Sequence, residues 1–450
     1  MQTSSSSRLG TQNISSLMVQ LAVPSILAYL VNILYNIVDR IYIGHLASSS
    51  ALTGVGICLP ILQLVSAFCV FAGNGGAPLA AIELGKSEKD STALKTAEKY
   101  LGNAFILLCI FSTVLMSFFL TFKNSILLAF GASQETLPYA SSYISIYLLG
   151  TFFVQFAVGL NPFITCQGRA KTAMISTLIG AVSNLILDPV FIFGLNMGVS
   201  GAALATIISQ GLSAAWVLRF LTSGKSVLRL RFEILRPDFS VIKRIASLGI
   251  SPFIMQATES AIFVVFNTGL QKYGGDIYVG AMTIMQSVMQ VIWIPASGFT
   301  NGVQPIISYN FGARKNDRVK GTIYRMLFVC GLIMIISSII TTVFPEKIAG
   351  LFTGDKALLE IEKKLLPVYI GAMWIMWIQT VAQTTFVGIG NAKVSVFIAC
   401  LRKLILLIPL ALILPHFFGV EGIYYAEPVA SCTSAVTSGI LLYFIVLRKM

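Results

Sequence analysis

Twelve long apolar stretches, each set off by polar or Gly/Pro-rich breaks, constrain this chain more than any other feature. They cover residues 17–43, 52–82, 100–122, 137–165, 171–193, 201–221, 246–269, 278–308, 322–344, 364–389, 394–414 and 422–446. A helix needs about 20 apolar residues to cross about 30 Å of hydrocarbon, so each stretch is long enough to span a bilayer. The runs are continuous rather than short and alternating, which excludes a β-barrel reading. Composition agrees: of 450 residues, 56% are hydrophobic and 11% charged, where soluble domains carry roughly a quarter charged residues. Disordered, disulfide-scaffold and ordinary cytosolic-enzyme classes are excluded on the same ground. The seven cysteines are odd in number, lie mostly in apolar runs and include no CxxC pair. They read as small buried hydrophobes, with no disulfide framework and no metal site. No A-x-A-like site closes the first apolar run, so the first span is expected to direct insertion itself.

Charge placement sets the orientation. Of the 31 Lys and Arg residues, 24 fall on the N-terminal tail, the even-to-odd connections and the C-terminal tail, a set in which Arg402 and Lys403 are counted. Six fall in the opposite loops, and Arg40 lies inside span 1. The positive-inside bias therefore predicts both termini in the cytoplasm and an even number of spans. The net charge of +13 is a topology signal, and no nucleic-acid partner is expected.

The chain repeats itself. Asn74-Gly-Gly-Ala-Pro78 through Gly85 matches Asn301-Gly-Val-Gln-Pro305 through Gly312 at an offset of 227. Pro24 matches Pro252; Gly168-Arg-Ala-Lys171 matches Gly390-Asn-Ala-Lys393; Gly198-Val-Ser-Gly201 matches Gly419-Val-Glu-Gly422. Six spans per half make the repeats parallel, related by an axis along the membrane normal. The expected architecture is an all-α integral membrane protein of two six-helix lobes about a pseudo-two-fold axis. Its parts are a polar tail (1–16), an N-terminal lobe (17–221), a cytoplasmic linker (222–245) and a C-terminal lobe (246–446).

A carboxylate within a span is a functional-site hypothesis by default. Asp39, Asp188, Glu259 and Glu427 are such residues. Asp39 and Asp188 sit at matching depth near the outer ends of spans 1 and 5, and Thr206 of span 6 reaches the same depth. Asn184 lies one turn from Asp188 on one face, and Asn32, Tyr35, Asn36 and Asp39 form a polar stripe on span 1. Asp39, Asn184, Asp188 and Thr206 can thus converge as oxygen ligands for a hard cation or a shared proton. A hydrogen-bonded network that fixes helix register is the competing reading. The second half lacks this cluster, because Asn267 and Pro409 stand where the repeat would put the two aspartates. Glu259 reads either as a second-lobe proton or substrate site or as a satisfied structural acid. Glu427, before Pro428, reads as a helix-start residue, with ion coupling as the alternative. Met282, Met285, Gln286, Met289, Gln290 and Trp293 follow one another at helical spacing on span 8. Met285 and Met289 are candidate substrate contacts, because Met-rich surfaces adapt to varied ligands; lobe packing is the alternative.

These features resemble the multidrug and toxic compound extrusion (MATE) family, in particular its bacterial DinF-like branch. The carriers are the paired six-span repeats, the P-x14-D pattern of Pro24 and Asp39, and the N-x3-D-x17-T pattern of Asn184, Asp188 and Thr206. The paired N-G-x-x-P-x6-G motifs fit as well. The resemblance implies a secondary antiporter, not an enzyme. It would export cationic or amphipathic drugs from the cell (plasma) membrane by alternating access, with no cofactor beyond a coupling proton or Na+. It further implies that Asp39 and Asp188 take part in ion coupling, that span 1 bends at Pro24, and that Asn32, Tyr35, Asn161 and Gln210 line the substrate pocket. The chain is expected to act as a monomer in the lipid bilayer. Rival classes lack their motifs: no GxxxxGK[ST] phosphate loop occurs, and the loop after span 2 reads GKSEKDSTALK rather than the G-x3-D-R-x-G-R-R of major-facilitator transporters. A flippase for a lipid-linked or polyanionic substrate is the remaining alternative, and cationic residues lining the cleft would favour it.

Overall fold

The computed structural model describes residues 5–44 and 49–450. The side chains of Asn36 and Arg40, and His45, lie outside the described residues. The described residues form helices and no strands. Eleven helices are long and apolar enough to cross a membrane, and one bent pair supplies a twelfth span. We label these α1 (Ile14–Gly44), α2 (Ser49–Lys86), α3 (Thr92–Ala129), α4 (Leu137–Leu149 with Thr151–Thr165), α5 (Ala170–Gly194) and α6 (Gly198–Thr222). The second half contributes α7 (Phe239–Gly274), α8 (Asp276–Gly312), α9 (Asn316–Val343), α10 (Lys356–Gly388), α11 (Ala392–Phe418) and α12 (Glu421–Leu447).

The two parts of α4 meet at 59° across Gly150. A side chain at Gly150 would run into Ile207 of α6, at 2.5 Å from the nearest atom, so the break lies where α4 packs tightly on α6. The helix α7 begins at Phe239, capped by Asp238, whose carboxylate accepts from Ser240 N (3.0 Å) and Val241 N (3.3 Å). The helix therefore begins within the connection expected to span 222–245, whose backbone is tied to the first lobe. Gln167 Oε1 accepts from Val227 N at 2.7 Å, and Asn103 Oδ1 accepts from Asp238 N at 2.8 Å.

The repeated glycines have two structural uses. Gly168 and Gly390, and likewise Gly198 and Gly419, adopt positive φ (77°, 74°, 55° and 61°) at the turns that open the fifth and sixth helices of each half, a backbone that costs glycine little. Gly75, Gly85, Gly302 and Gly312 lie where helices of opposite halves touch. A Cβ on Gly85 would sit 1.9 Å from the Tyr309 carbonyl oxygen, and one on Gly312 would sit 1.9 Å from that of Ile82. Gly75 meets Ile245 and Gly249 of α7, as Gly302 meets Leu21 and Ala22 of α1. The contacts are reciprocal, as a pseudo-two-fold axis requires.

Apolar packing divides the molecule by depth. On the face that carries the chain ends, both halves share one core, built from residues such as Leu21, Leu84, Leu101, Phe163, Ile245, Ile306 and Phe386. Toward the opposite face the cores separate, one around Cys58, Ile61, Tyr143 and Ile144 in the first half, the other around Met285, Leu366, Tyr369 and Tyr424 in the second. The shared face is also latched by polar contacts. Glu88 accepts from the Tyr309 hydroxyl at 2.9 Å and pairs with Lys315 at 2.8 Å. The short helix Ser5–Thr11 buries Leu9 there; the Leu9 carbonyl accepts from Asn310 (2.9 Å) and Arg318 (3.1 Å).

Candidate functional site

In the first lobe, α1 and α5 pack side by side and bring Asp39 and Asp188 into hydrogen-bonding range of one another. Asp188 is fully buried; its Oδ1 accepts from Asn184 Nδ2 at 3.1 Å, one turn earlier on α5. Its Oδ2 is buried and has no donor among the described residues. Pro189 follows directly and cannot supply a backbone donor to the helix. The next five residues, Val190–Gly194, wind as a π-type turn, an arrangement frequent at functional sites. Two carboxyl groups in contact, shielded from bulk water, call for a proton or a cation between them.

Of the other sequence candidates in this lobe, Tyr35 of α1 is half-buried and Asn32 lies at the surface. Thr206 and Gln210 of α6 are half-buried and make no side-chain hydrogen bond among the described residues. Asn161 is half-buried, and its Nδ2 donates to Ser176 Oγ at 2.5 Å and to Ala173 O at 3.1 Å, tying α4 to α5. The repeat-related residue, Gln383, makes the equivalent tie in the second lobe, donating to Ser251 Oγ (2.5 Å) and Ser395 Oγ (2.9 Å). Pro24 is buried within α1, which runs without a break from Ile14 to Gly44. Met285 is wholly buried in the second lobe's core, where Met289 packs against it only partly covered, so Met285 does not face a cleft in this conformation.

Sequence reasoning missed two tyrosines. Tyr143 of α4 stands within electrostatic reach of both Asp39 and Tyr35, and Tyr147 stacks on it with ring centroids 6.4 Å apart. Their spacing of four was visible, but nothing in the sequence told which helix α4 would face.

The second lobe holds the larger surprise. Arg402 and Lys403, counted above as loop residues, lie inside α11 on a π-type segment, Leu401–Leu407, and are buried. Arg402 Nη2 donates to Glu427 Oε1 at 2.6 Å, and Ser431 Oγ donates to the same oxygen at 3.0 Å. Glu427 is thus half of a buried ion pair and not a helix-start residue. Lys403 pairs with Glu259 of α7. The surrounding run of Leu, Ile and Val hides both cations only if their acids are supplied from α12 and α7, which no single-segment reading reveals. Glu362 of α10 was not singled out at all; it is fully buried, and neither carboxyl oxygen has a hydrogen-bond partner among the described residues.

A sequence model of the MatE family matches residues 24–190 and 252–413, one match in each lobe. The chain belongs to the MATE family. Among curated relatives, the multidrug export protein MepA of Staphylococcus aureus (strain N315) is 26% identical over 429 residues, 95% of this chain and 93% of that protein. The MepA of Staphylococcus saprophyticus is 24% identical with the same coverage of both chains. A crystal structure of a MATE protein in its bent conformation superimposes with a TM-score of 0.91 at 22% identity, covering all of this chain and 98% of that one. Membership makes this MATE protein a multi-pass membrane transporter, which settles the fold class in favour of the two-lobed helical reading.

Proposed function

We propose that this MATE protein exports lipophilic organic cations in exchange for protons or sodium ions, moving its two lobes between outward-open and inward-open arrangements. The observation that carries the coupling site is the contact of Asp39 with Asp188 beside Asn184. A bound proton or Na+ relieves the repulsion in this pocket, and cargo binding and ion binding then favour different lobe arrangements. The relatives named as multidrug export proteins support the cargo class. Both termini lie in the cytoplasm in this reading. The shared core and the Glu88–Lys315 latch then close the cytoplasmic side, so the conformation described faces outward.

The polyanion-flippase alternative gains no support from Arg402 and Lys403, since each is already matched by a carboxylate. The deciding experiment is efflux of an ethidium-like dye from proteoliposomes under separately imposed proton and sodium gradients. Dye movement driven by at least one gradient is expected. Transport of an anionic lipid-linked substrate with no cation movement under either gradient would overturn the proposal.

A further inference from the structure

On the face that carries the chain ends, a cavity of about 720 Å³ lies between the end of α2 in the first lobe and α7, the end of α8 and the α10–α11 turn in the second. Four cations line it, Lys86, Lys243, Arg244 and Arg314, against one carboxylate, Glu83. Glu83 is taken by Lys86 at 2.7 Å. Arg244 donates to the Tyr100 hydroxyl at 3.4 Å. The side chains of Lys243 and Arg314 have no acceptor among the described residues. The positive-inside bias accounts for cations on this face, but not for their gathering around one hollow.

The internal repeat shows what this hollow lacks. Ile82 and Glu83 line it, and their counterparts at the offset of 227 are Tyr309 and Asn310. Those two are covered by a piece of the chain itself, the helix Ser5–Thr11. A Cβ on Gly10 would stand 3.0 Å from the Tyr309 ring, and Asn310 donates to the Leu9 carbonyl. Carbonyl oxygens of the same N-terminal segment satisfy the cations beside it: Lys315 donates to Gly10 O at 3.2 Å and Arg318 to Gln12 O at 2.7 Å. The residues that lead into α7 run along α3 instead, where a Cβ on Gly102 would stand 2.3 Å from the Ile234 carbonyl oxygen. In the second lobe the cations are left for a ligand that brings its own oxygens.

We infer that this cavity binds the phosphate group of an anionic ligand, a phospholipid headgroup or a soluble phosphate ester, and that the bound phosphate ties the two lobes together on this face. Guanidinium and ammonium groups are the side-chain donors best suited to phosphate oxygens, and three of them remain once Lys86 is matched by Glu83. The volume falls within the roughly 300–1,000 Å³ of small-molecule sites. Leu79, Ile82, Leu248 and Phe311 supply an apolar wall for the carbon skeleton that bears the phosphate. In the orientation proposed above, the helix ends lie at the level of the anionic cytoplasmic headgroups. Lys86 stands on the first lobe and Lys243, Arg244 and Arg314 on the second, so the ligand is a removable counterpart of the Ser5–Thr11 latch.

The test follows the thermal-unfolding midpoint of purified full-length protein in nonionic detergent as dioctanoyl phosphatidylglycerol, dioctanoyl phosphatidylcholine or glycerol 3-phosphate is added, since a ligand of the folded state raises the midpoint. Phosphatidylglycerol should raise it, and phosphatidylcholine, which has no net charge, should not. An equal rise with glycerol 3-phosphate identifies a soluble ester as the ligand; a rise with the anionic lipid alone identifies a headgroup. Lys243→Gln combined with Arg314→Asn should increase the concentration needed for half the effect at least tenfold; asparagine accepts the positive φ of 58° at position 314. Lys225→Gln with Arg231→Gln, exposed residues of the α6–α7 connection, removes equal charge outside the cavity and should leave that concentration unchanged. Ser247→Trp fills the cavity with every charge in place and should abolish the effect; it decides the question should the double variant fail to fold. In a cysteine-free version, a single cysteine at Leu84 of the shared core should react with maleimide more slowly when phosphatidylglycerol is present, and an unchanged rate overturns the tie between the lobes. No rise with either anion, equal loss in both pairs of variants, or a full effect in Ser247→Trp overturns the site.

Discussion

Asp188 concentrates the argument for coupling in one carboxyl group. It is buried, bonded on one oxygen by Asn184 and faced on the other side by Asp39. Asp188→Asn keeps the volume and removes the charge, so the site loses its reason to take up a proton or Na+. Gradient-driven dye efflux from proteoliposomes should fall by at least tenfold, the equivalent of about 1.4 kcal/mol, with elution profile and expression largely unchanged. Normal efflux by this variant would return the cluster to the register-fixing network that the sequence also allowed. Asp39, Asn184 and Asp188 were legible because period 3.6 and span depth are one-dimensional properties. Tyr143 and the buried partners of Glu259 and Glu427 were not, because they depend on which face of a helix meets which neighbour. Arg402 and Lys403 misled for a definable reason: a cation ten residues into an apolar run looks like a boundary until its counter-ion from another helix is known.

At the level of helices, the paired N-G-x-x-P-x6-G motifs were legible as repeats but silent as to purpose. The structure gives the purpose: their glycines are crossing points at which backbone meets backbone between the lobes. Gly312→Val would put a branched side chain where a Cβ alone falls 1.9 Å from the Ile82 carbonyl oxygen, and the helices would have to move apart. Overpacking of this kind typically costs about 1–3 kcal/mol. We expect a lowered midpoint in a thermal-unfolding assay in detergent, and easier labelling of a cysteine introduced at Leu84, now buried in the shared core. An unchanged midpoint with Leu84 still protected would show the seam to be looser than described. The break in α4 was not legible, because Gly150 within an apolar run is unremarkable until Ile207 of α6 is found against it. The π-type segments in α5 and α11 were hidden as well, because a proline such as Pro189 or Pro409 signals a bend but not the extra residue in the turn.

For the molecule as a whole, the count and two-lobed arrangement of spans were legible because the bilayer imposes length and the repeat imposes symmetry. The proposed orientation rests on the Lys and Arg bias, which survives the transfer of Arg402 and Lys403 into α11. In a cysteine-free version, single cysteines at Met197 and Asp355 should react with an impermeant maleimide added outside intact cells. Reaction only after the membrane is opened would invert the topology and, with it, the side to which the described conformation is open. The reciprocal meeting of Gly85 with Tyr309 and of Gly312 with Ile82 carries one more consequence. It is the pattern of an isologous homodimer interface, in which the same patch serves both partners. A six-helix ancestor bearing a single copy of the motif would have paired with itself through this seam, and fusion of duplicated genes would have preserved the seam while releasing each copy from having to match the other elsewhere. The aspartates of one half and the buried cations of the other are what such released copies can acquire.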